Sequence, residues 1–555
     1  MKFRVVAPVL LFLALCPYFI DLGGSAIWDA NEAFYVETPR EMIERGDYVF
    51  PTFNYEPRVN KPVLSYWIVI AFYKLLWVSP GVQRIPIAIA GVVLIAVAFF
   101  LARAAAPPGV AIAAAWWSAL GLAVAPRLLM FSRRIFIDIY ITMFMALTLL
   151  WFALSERYPA RRRLFLMLMY VSIGLGVLTK GPVAVLVPGL VFAIYLVAHR
   201  ELGRTRDMML PAGVLVVLAI VVPWYAALYQ RAGWEPIVQF LVGENLDRYA
   251  RGVGVNADHR GLLWYVPVVF SDSFPWSFLL VPAAVLWWRD RAARASAGAD
   301  FRVRTLLWIW ILAIVGFFSL SAGKQDLYIF PIVPAVAALA AVTIARVLAG
   351  EPVGRIGVRP ALGAVGALLV IVGAGFFVLF HGPNAVYVLD GSAAIGIVAV
   401  AAGAATIMLA ARGREPAALF VITASLAVAS WIFVLRVLPS FEAYKPAPAL
   451  AATVQKIAQP DDLIVTYNVA LPSLVYYLRR HTEVYYDHEP VLELLQSRRP
   501  LYLMLTSDDY ANIIEPAAPG RLCRVASQPT FDVKLRNVLS RVRLPEVLLV
   551  TNKCP

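Results

Sequence analysis

Residues Trp28 to Trp67 read W-D-A-N-E-A-F-Y-V-E-T-P-R-E-M-I-E-R-G-D-Y-V-F-P-T-F-N-Y-E-P-R-V-N-K-P-V-L-S-Y-W and lie between a first apolar run and a long succession of others. The stretch carries Asp29, Glu32, Glu37, Arg40, Glu41, Arg58 and Lys61, interleaved with Tyr35, Tyr55, Tyr66 and Trp67. So many charges are costly beside a bilayer. Acids and bases mixed with aromatic rings at a membrane edge suit a polar cavity that handles a charged headgroup. An amphipathic surface helix with merely solvated charges fits the same composition. The stretch alone does not separate the two.

Its flanks set the context. Of 555 residues, 61% are hydrophobic and 15% charged, with mean hydropathy +0.74. A soluble domain is nearer half apolar and a quarter charged, so the chain is a polytopic membrane protein. The net charge of +14 requires no nucleic acid, because most of the surplus lies in short loops where Lys and Arg set topology.

Apolar runs long enough to span, about 17–25 residues each, fall near 5–21, 84–102, 109–125, 135–154, 164–179, 182–198, 209–229, 262–288, 305–321, 326–348, 361–381, 391–411 and 416–436. That predicts thirteen spans. The first could pass for a signal peptide, with Lys2 and Arg4 before the apolar run, but Leu15 beside Cys16 and the lack of an A-x-A site favour an uncleaved span. Segment 62–78 follows the charged stretch directly and is interrupted by Lys74, so it reads as a helix along the membrane surface.

With a cytoplasmic start, the inside loops hold Arg103; Arg157 with Arg161–Arg163; Arg200, Arg204 and Arg206; Arg289, Arg291, Arg294, Arg302 and Arg304; Arg346, Arg355 and Arg359; then Arg412 and Arg414. Every even-numbered exit is basic, which predicts the N-terminus inside and the C-terminus outside. Residues 1–439 are then the membrane part, with outer loops at 22–80 and 230–261. The alanine-rich stretches 91–115 and 392–412 suit close helix packing.

Beyond Pro439 the long apolar runs stop. Short apolar segments at Leu463–Tyr467, Val484–Tyr486, Leu501–Thr506 and Val547–Thr551 alternate with helix-like stretches at 448–458 and 472–480. This predicts an outer α/β domain over 440–555. Cys523 and Cys554 both lie in it, as a disulfide or as two free thiols.

No H-E-x-x-H, paired C-x-x-C, Walker loop or G-x-G-x-x-G is present. No cofactor is called for, and no motif points to a divalent cation. The prominent polar residues collect on one side of the membrane: Arg133, Arg134 and Asp138; Lys180; Glu244, Asn245, Arg248 and His259; Lys324 and Tyr328. Each alone reads as a snorkelling or capping residue. Together, the basic groups suit a phosphate and the carboxylates suit a sugar or an acceptor proton.

Asn31-Glu32-Ala33-Phe34-Tyr35-Val36-Glu37-Thr38-Pro39-Arg40-Glu41-Met42, then Gly46-Asp47, Lys61-Pro62 and Tyr66-Trp67, resembles the first outer loop of the bacterial aminoarabinose transferases. These stand with the protein O-mannosyltransferases among the polyprenyl-dependent glycosyltransferases of the GT-C fold. The resemblance continues through Arg134 and Asp138, Leu178–Pro182, Pro223–Tyr225, Phe240 to Arg248, His259 with Pro275-Trp276, and Ser321–Pro331. It covers about the first 340 residues. The family pattern places an aspartate, its proposed catalytic carboxylate, where this chain has Asn31. An amide cannot serve as a base. Asp29, Glu32 and Asp138 are therefore the candidate catalytic carboxylates, unless Asp29 only caps its helix.

The resemblance implies transfer of a monosaccharide from undecaprenyl phosphate to a periplasmic acceptor such as lipid A, another part of lipopolysaccharide, or a protein. It places the chain in the bacterial inner membrane. Lys61, Arg248, Lys324 and Tyr328 would stabilise the phosphate, with Asn31, Tyr35, Arg58, Tyr66, Arg134, Lys180 and His259 contributing to substrate binding. A monomer is expected. A transporter of lipid-linked sugars, or a catalytically altered homologue kept in view by Asn31, are the rival readings. Transporters often show inverted repeats and broken midplane helices, and no repeat is legible here.

Overall fold

The computed structural model describes residues 2–134, 137–252, 260–292, 298–353, 357–382, 385–497, 499–531 and 544–554. His259, Arg294 and Arg355 lie outside them. Among the described residues, nine helices are long and apolar enough to cross a membrane, or up to eleven if each of two bent pairs is one span. The runs expected at 5–21 and 182–198 form the shorter apolar helices Val6–Phe19 and Val183–Ala198.

Two of the expected spans take the form of bent helix pairs. The run at 109–125 ends as Ala111–Ala123, and Pro126–Ser132 continues at 62° to it. The run at 262–288 is broken more sharply, Leu262–Asp272 meeting Trp276–Ala292 at 108°. Pro126 opens one second segment and Pro275 immediately precedes the other. Proline has no N–H to continue the helical ladder, so each break falls where the backbone cannot propagate. Segment 62–78 contains the 12-residue helix Leu64–Leu75. At 1.5 Å per residue it is about 18 Å long, short of the ~30 Å hydrocarbon layer.

Asp326–Leu348 runs through the middle of the bundle, and every residue from Val333 to Arg346 is buried. Its alanines let Pro80–Ala105 and Ala111–Ala123 approach closely. Arg359–Phe380 and Ser392–Ala411 pack through glycines instead: a methyl added at Gly366 would stand 2.8 Å from the Gly403 carbonyl oxygen. Several arginines assigned to topology from sequence are also tied to acids. Asp290 binds Arg304 at 3.0 Å and Arg346 at 2.7 Å, while Glu156 and Glu201 share Arg204 and Arg302.

Near the other face, Asn31–Arg45 forms a helix ended by Gly46, whose left-handed backbone turns its N–H onto the carbonyls of Ile43 and Met42. A small hairpin follows, strand β1 (Thr52–Phe53) pairing with β2 (Glu56–Pro57).

Residues 446–554 hold a five-stranded sheet in the order β4-β3-β5-β7-β6, built from β3 (Leu463–Tyr467), β4 (Glu483–Tyr485), β5 (Leu501–Thr506), β6 (Cys523–Pro529) and β7 (Glu546–Thr551). The first three strands run parallel, and β7 lies antiparallel to both β5 and β6. Alternate residues feed two cores: Ile464, Tyr502, Met504 and Leu549 on one face, Val465, Leu503, Leu505 and Leu548 on the other. Helices Pro446–Ile457 and Ser473–Leu478 pack on the first face and His488–Gln496 on the second. Sequence patterning misses β6, whose C-R-V-A-S-Q-P lies at the edge of the sheet and is largely polar. Cys523 and Cys554 form a disulfide.

Candidate active site

The acids of the Trp28–Trp67 stretch are mostly spoken for. Glu32 is paired with Arg84 through Nε at 2.7 Å and Nη2 at 3.0 Å, and each side chain is only 2% exposed. Arg84 also donates to the carbonyls of Leu22, Ser25 and Ala26, and Glu32 accepts the Trp28 N–H. Every polar atom of this buried pair thereby gains a partner, which is what offsets its desolvation. Glu37 accepts from Arg40 Nε at 2.8 Å. Glu41 accepts the Thr52 hydroxyl and the Tyr55 N–H, holding the hairpin onto the helix, and burial pushes its carboxyl upward.

Asp29 faces a different neighbour. Its carboxylate accepts the Ser473 N–H at 2.7 Å and the Ser473 hydroxyl at 2.6 Å, at the start of helix Ser473–Leu478. Asp29 therefore caps a helix, though not its own: it clasps the C-terminal sheet unit to the first loop. Nearby, Ile27 N–H donates to Tyr477, Glu442 accepts from Ser25 and Ala26, and Asn54 exchanges two hydrogen bonds with the Thr482 backbone.

Lys61, from the same loop, lines a cavity of about 430 Å³. Its charged lining is Lys61, Asp138, Lys180, Glu244 and Arg248, joined by Asn245 and Tyr328. Ile141, Leu186, Leu241, Phe317 and Phe318 belong to its apolar wall. Lys61 Nζ lies 2.8 Å from Glu244 Oε2, and Arg248 Nη2 lies 3.0 Å from the same oxygen. Lys180 pairs with Asp138, and its Nζ stands 5.2 Å from the centre of the Tyr328 ring. Burial pulls the Lys61 ammonium down to about 8; the Glu244 carboxylate counters this, while Arg248 and Lys180 add to it.

Five of the residues expected from sequence thus meet at one cavity: Lys61, Asp138, Lys180, Arg248 and Tyr328. Tyr35 and Tyr66 stack behind it with ring centres 5.7 Å apart, and Arg58 lies over the Phe34 ring while donating to the Tyr66 hydroxyl at 3.3 Å. Arg134 stacks on the Trp28 ring at 3.8 Å. Lys324 turns its ammonium to the Ser321 carbonyl at 2.6 Å and does not line the cavity. Asn31 is exposed at the start of its helix, and neither it nor Asp29 nor Glu32 lines the cavity. In the sequence, Glu244 reads only as one of the carboxylates that suit a sugar or an acceptor proton. Its spacing of four from Arg248 was the available signal, but its contact with Lys61 was not readable. Among the described residues no group of three His, Cys, Asp or Glu could hold a metal ion.

The sequence profile of the dolichyl-phosphate-mannose-protein mannosyltransferase family matches residues 7–233. Over 356 residues the chain is 28% identical to undecaprenyl phosphate-alpha-4-amino-4-deoxy-L-arabinose arabinosyl transferase 1 of Pseudomonas fluorescens, covering 62% of this chain and 58% of that one. It is 31% identical over 324 residues to the corresponding transferase of Pseudomonas aeruginosa, covering 57% of this chain and 55% of that one. The chain therefore spans little more than half the length of these curated relatives. The crystal structure of ArnT from Cupriavidus metallidurans bound to undecaprenyl phosphate superposes with a TM-score of 0.75 at 22% identity, covering 100% of this chain and 98% of that one. The chain has that fold, the GT-C fold implied by the sequence resemblance, and it resembles both groups of transferases.

Proposed function

We propose that this chain is a membrane glycosyltransferase that moves a monosaccharide from a polyprenyl phosphate, undecaprenyl phosphate in a bacterium, to lipid A, another part of lipopolysaccharide, or a protein. The observation that carries this reading is the cavity: three cations and a tyrosine sit at the polar end of a largely apolar chamber. That combination suits a phosphate attached to a hydrocarbon chain, with Leu186, Leu241 and Phe317 against the prenyl units.

Breaking the bond between the anomeric carbon and the phosphate oxygen leaves negative charge on the phosphate. Lys61 and Arg248, with Tyr328 beside them, stabilise that charge as it develops. Phosphate is already a good leaving group, so no general acid is needed. Asp138 is the one candidate carboxylate that lines the cavity, and it is assigned to orienting the acceptor or removing its proton. A phosphate acceptor, as on lipid A, would need no base. Tyr35, Tyr66, Arg58 and Arg134 are assigned to binding the sugar and the acceptor on the strength of the sequence resemblance. Lys324 positions the loop that carries Tyr328. His259 is retained as a substrate-binding candidate from sequence.

The disulfide supports an oxidising setting for the C-terminal unit, and the basic loops support a cytoplasmic N-terminus. Both support our reading of an inner-membrane protein with residues 1–439 as the catalytic membrane part and 440–555 in the periplasm. One chain builds the whole cavity, so a monomer suffices.

The test is mass spectrometry of lipid A, glycoproteins and free glycolipids from a deletion strain. It is paired with a binding titration of purified protein with undecaprenyl phosphate, wild type against Lys61→Ala. Loss of one sugar-bearing species and Lys61-dependent binding are expected. An unchanged glycan profile together with Lys61-independent binding would sink the proposal.

A further inference from the structure

The cavity has an anion of its own among the cations assigned to the phosphate. One oxygen of Glu244 bridges Lys61 at 2.8 Å and Arg248 at 3.0 Å, while Lys180 is engaged by Asp138. The ionisable lining therefore carries one positive charge in excess: Lys61, Lys180 and Arg248 against Asp138 and Glu244. Glu244 stays beside Arg248 because the two lie four residues apart on one helical segment, Gln239–Asp247 running directly into Arg248–Arg251.

The two forms of a lipid carrier differ in charge. A sugar-loaded carrier is a phosphodiester with one negative charge. Once the sugar leaves, the carrier is a monoester with a second ionisation near pH 6, so it bears about one and a half to two charges at neutral pH. The diester brings the cavity to neutrality with Glu244 in place. The monoester sets a second charge against the Glu244 carboxylate. We infer that Glu244 is a specificity-determining residue that makes the cavity favour the loaded phosphodiester over the spent phosphate monoester. The inference rests on the phosphate reading of the cavity. Its consequence is that the product is pushed off its own cations as soon as the bond breaks.

The experiment uses the full chain in nanodiscs and two probes, a polyprenyl phosphate monoester and the methyl diester of the same lipid. Glu244→Gln removes the charge and keeps the shape. It should tighten monoester binding relative to the diester by about tenfold or more. Two unit charges about 4 Å apart at a protein's effective dielectric repel by more than that threshold. Glu244→Asp, which keeps the charge, should keep the wild-type preference. Glu244→Ala supplies a second neutral variant should the glutamine form not purify folded. An equal change on both probes, or no tightening of the monoester, overturns the inference. So does a wild type that favours the monoester over the diester. Failure of the phosphate reading looks different: neither probe then binds wild type, or Lys61→Ala leaves both affinities unchanged.

Discussion

Asp29→Asn and Asp29→Ala separate a catalytic carboxylate from a structural clasp. Asp29 accepts two hydrogen bonds from Ser473, at 2.7 Å from the backbone N–H and 2.6 Å from the hydroxyl. Hydrogen bonds to a charged acceptor contribute roughly 1.5–3 kcal/mol each when sheltered. Asp29 keeps solvent contact, which discounts that figure, so Asp29→Ala is expected to cost about 1–3 kcal/mol at this junction. Asn retains an oxygen for the N–H, and its amide can donate to the hydroxyl, so Asp29→Asn should cost under about 1 kcal/mol. Hydrogen exchange of the segment spanning Ser473–Leu478, with thermal unfolding of the detergent-solubilised chain, reads the clasp. Transfer from the lipid-linked sugar reads the chemistry. Faster exchange in Asp29→Ala, near-wild-type exchange in Asp29→Asn, and near-normal turnover in Asp29→Asn are the expected results. Unchanged exchange in Asp29→Ala would refute the clasp, and a loss of about 10²–10⁴ in rate for Asp29→Asn would restore Asp29 as a general base.

Two further outcomes are expected. Removing one member of the buried Glu32–Arg84 pair strands the other, so Glu32→Ala should lose about 3–5 kcal/mol of stability. Glu32→Leu with Arg84→Met should recover much of that loss in the thermal midpoint, and transfer surviving in the double variant would exclude Glu32 from the chemistry. Lys61 is faced by Glu244, Arg248 and Lys180, and its ammonium is brought down to about 8, chiefly by burial. It is charged below that pH and neutral above, so affinity for a polyprenyl phosphate should fall as pH rises through 8. Lys61→Ala should remove that part of the profile; an identical pH profile in the variant would show that another group is responsible.

The membrane class, the positions of the apolar helices and four of the five strands in the C-terminal sheet were legible in the sequence. Hydropathy and residue alternation are local properties that report burial directly. The breaks at Pro126 and Pro275 were less legible, because an apolar run reads the same whether it is straight or bent. Strand β6 escaped because an edge strand with polar residues carries no hydrophobic signal.

At the site, sequence alone determined which residue types collect on one side of the membrane, since each sits at the end of an apolar run. Tertiary structure decided which of them meet. Lys61 and Glu244 are 183 positions apart, and Asp29 and Ser473 are 444 apart. The motif around Asn31 placed Asp29, Glu32 and Asp138 on equal terms. The fold gave Glu32 to Arg84 and Asp29 to Ser473, and left Asp138 at the cavity. A carboxylate's role follows from the partner that claims its oxygens, and packing between distant segments selects that partner.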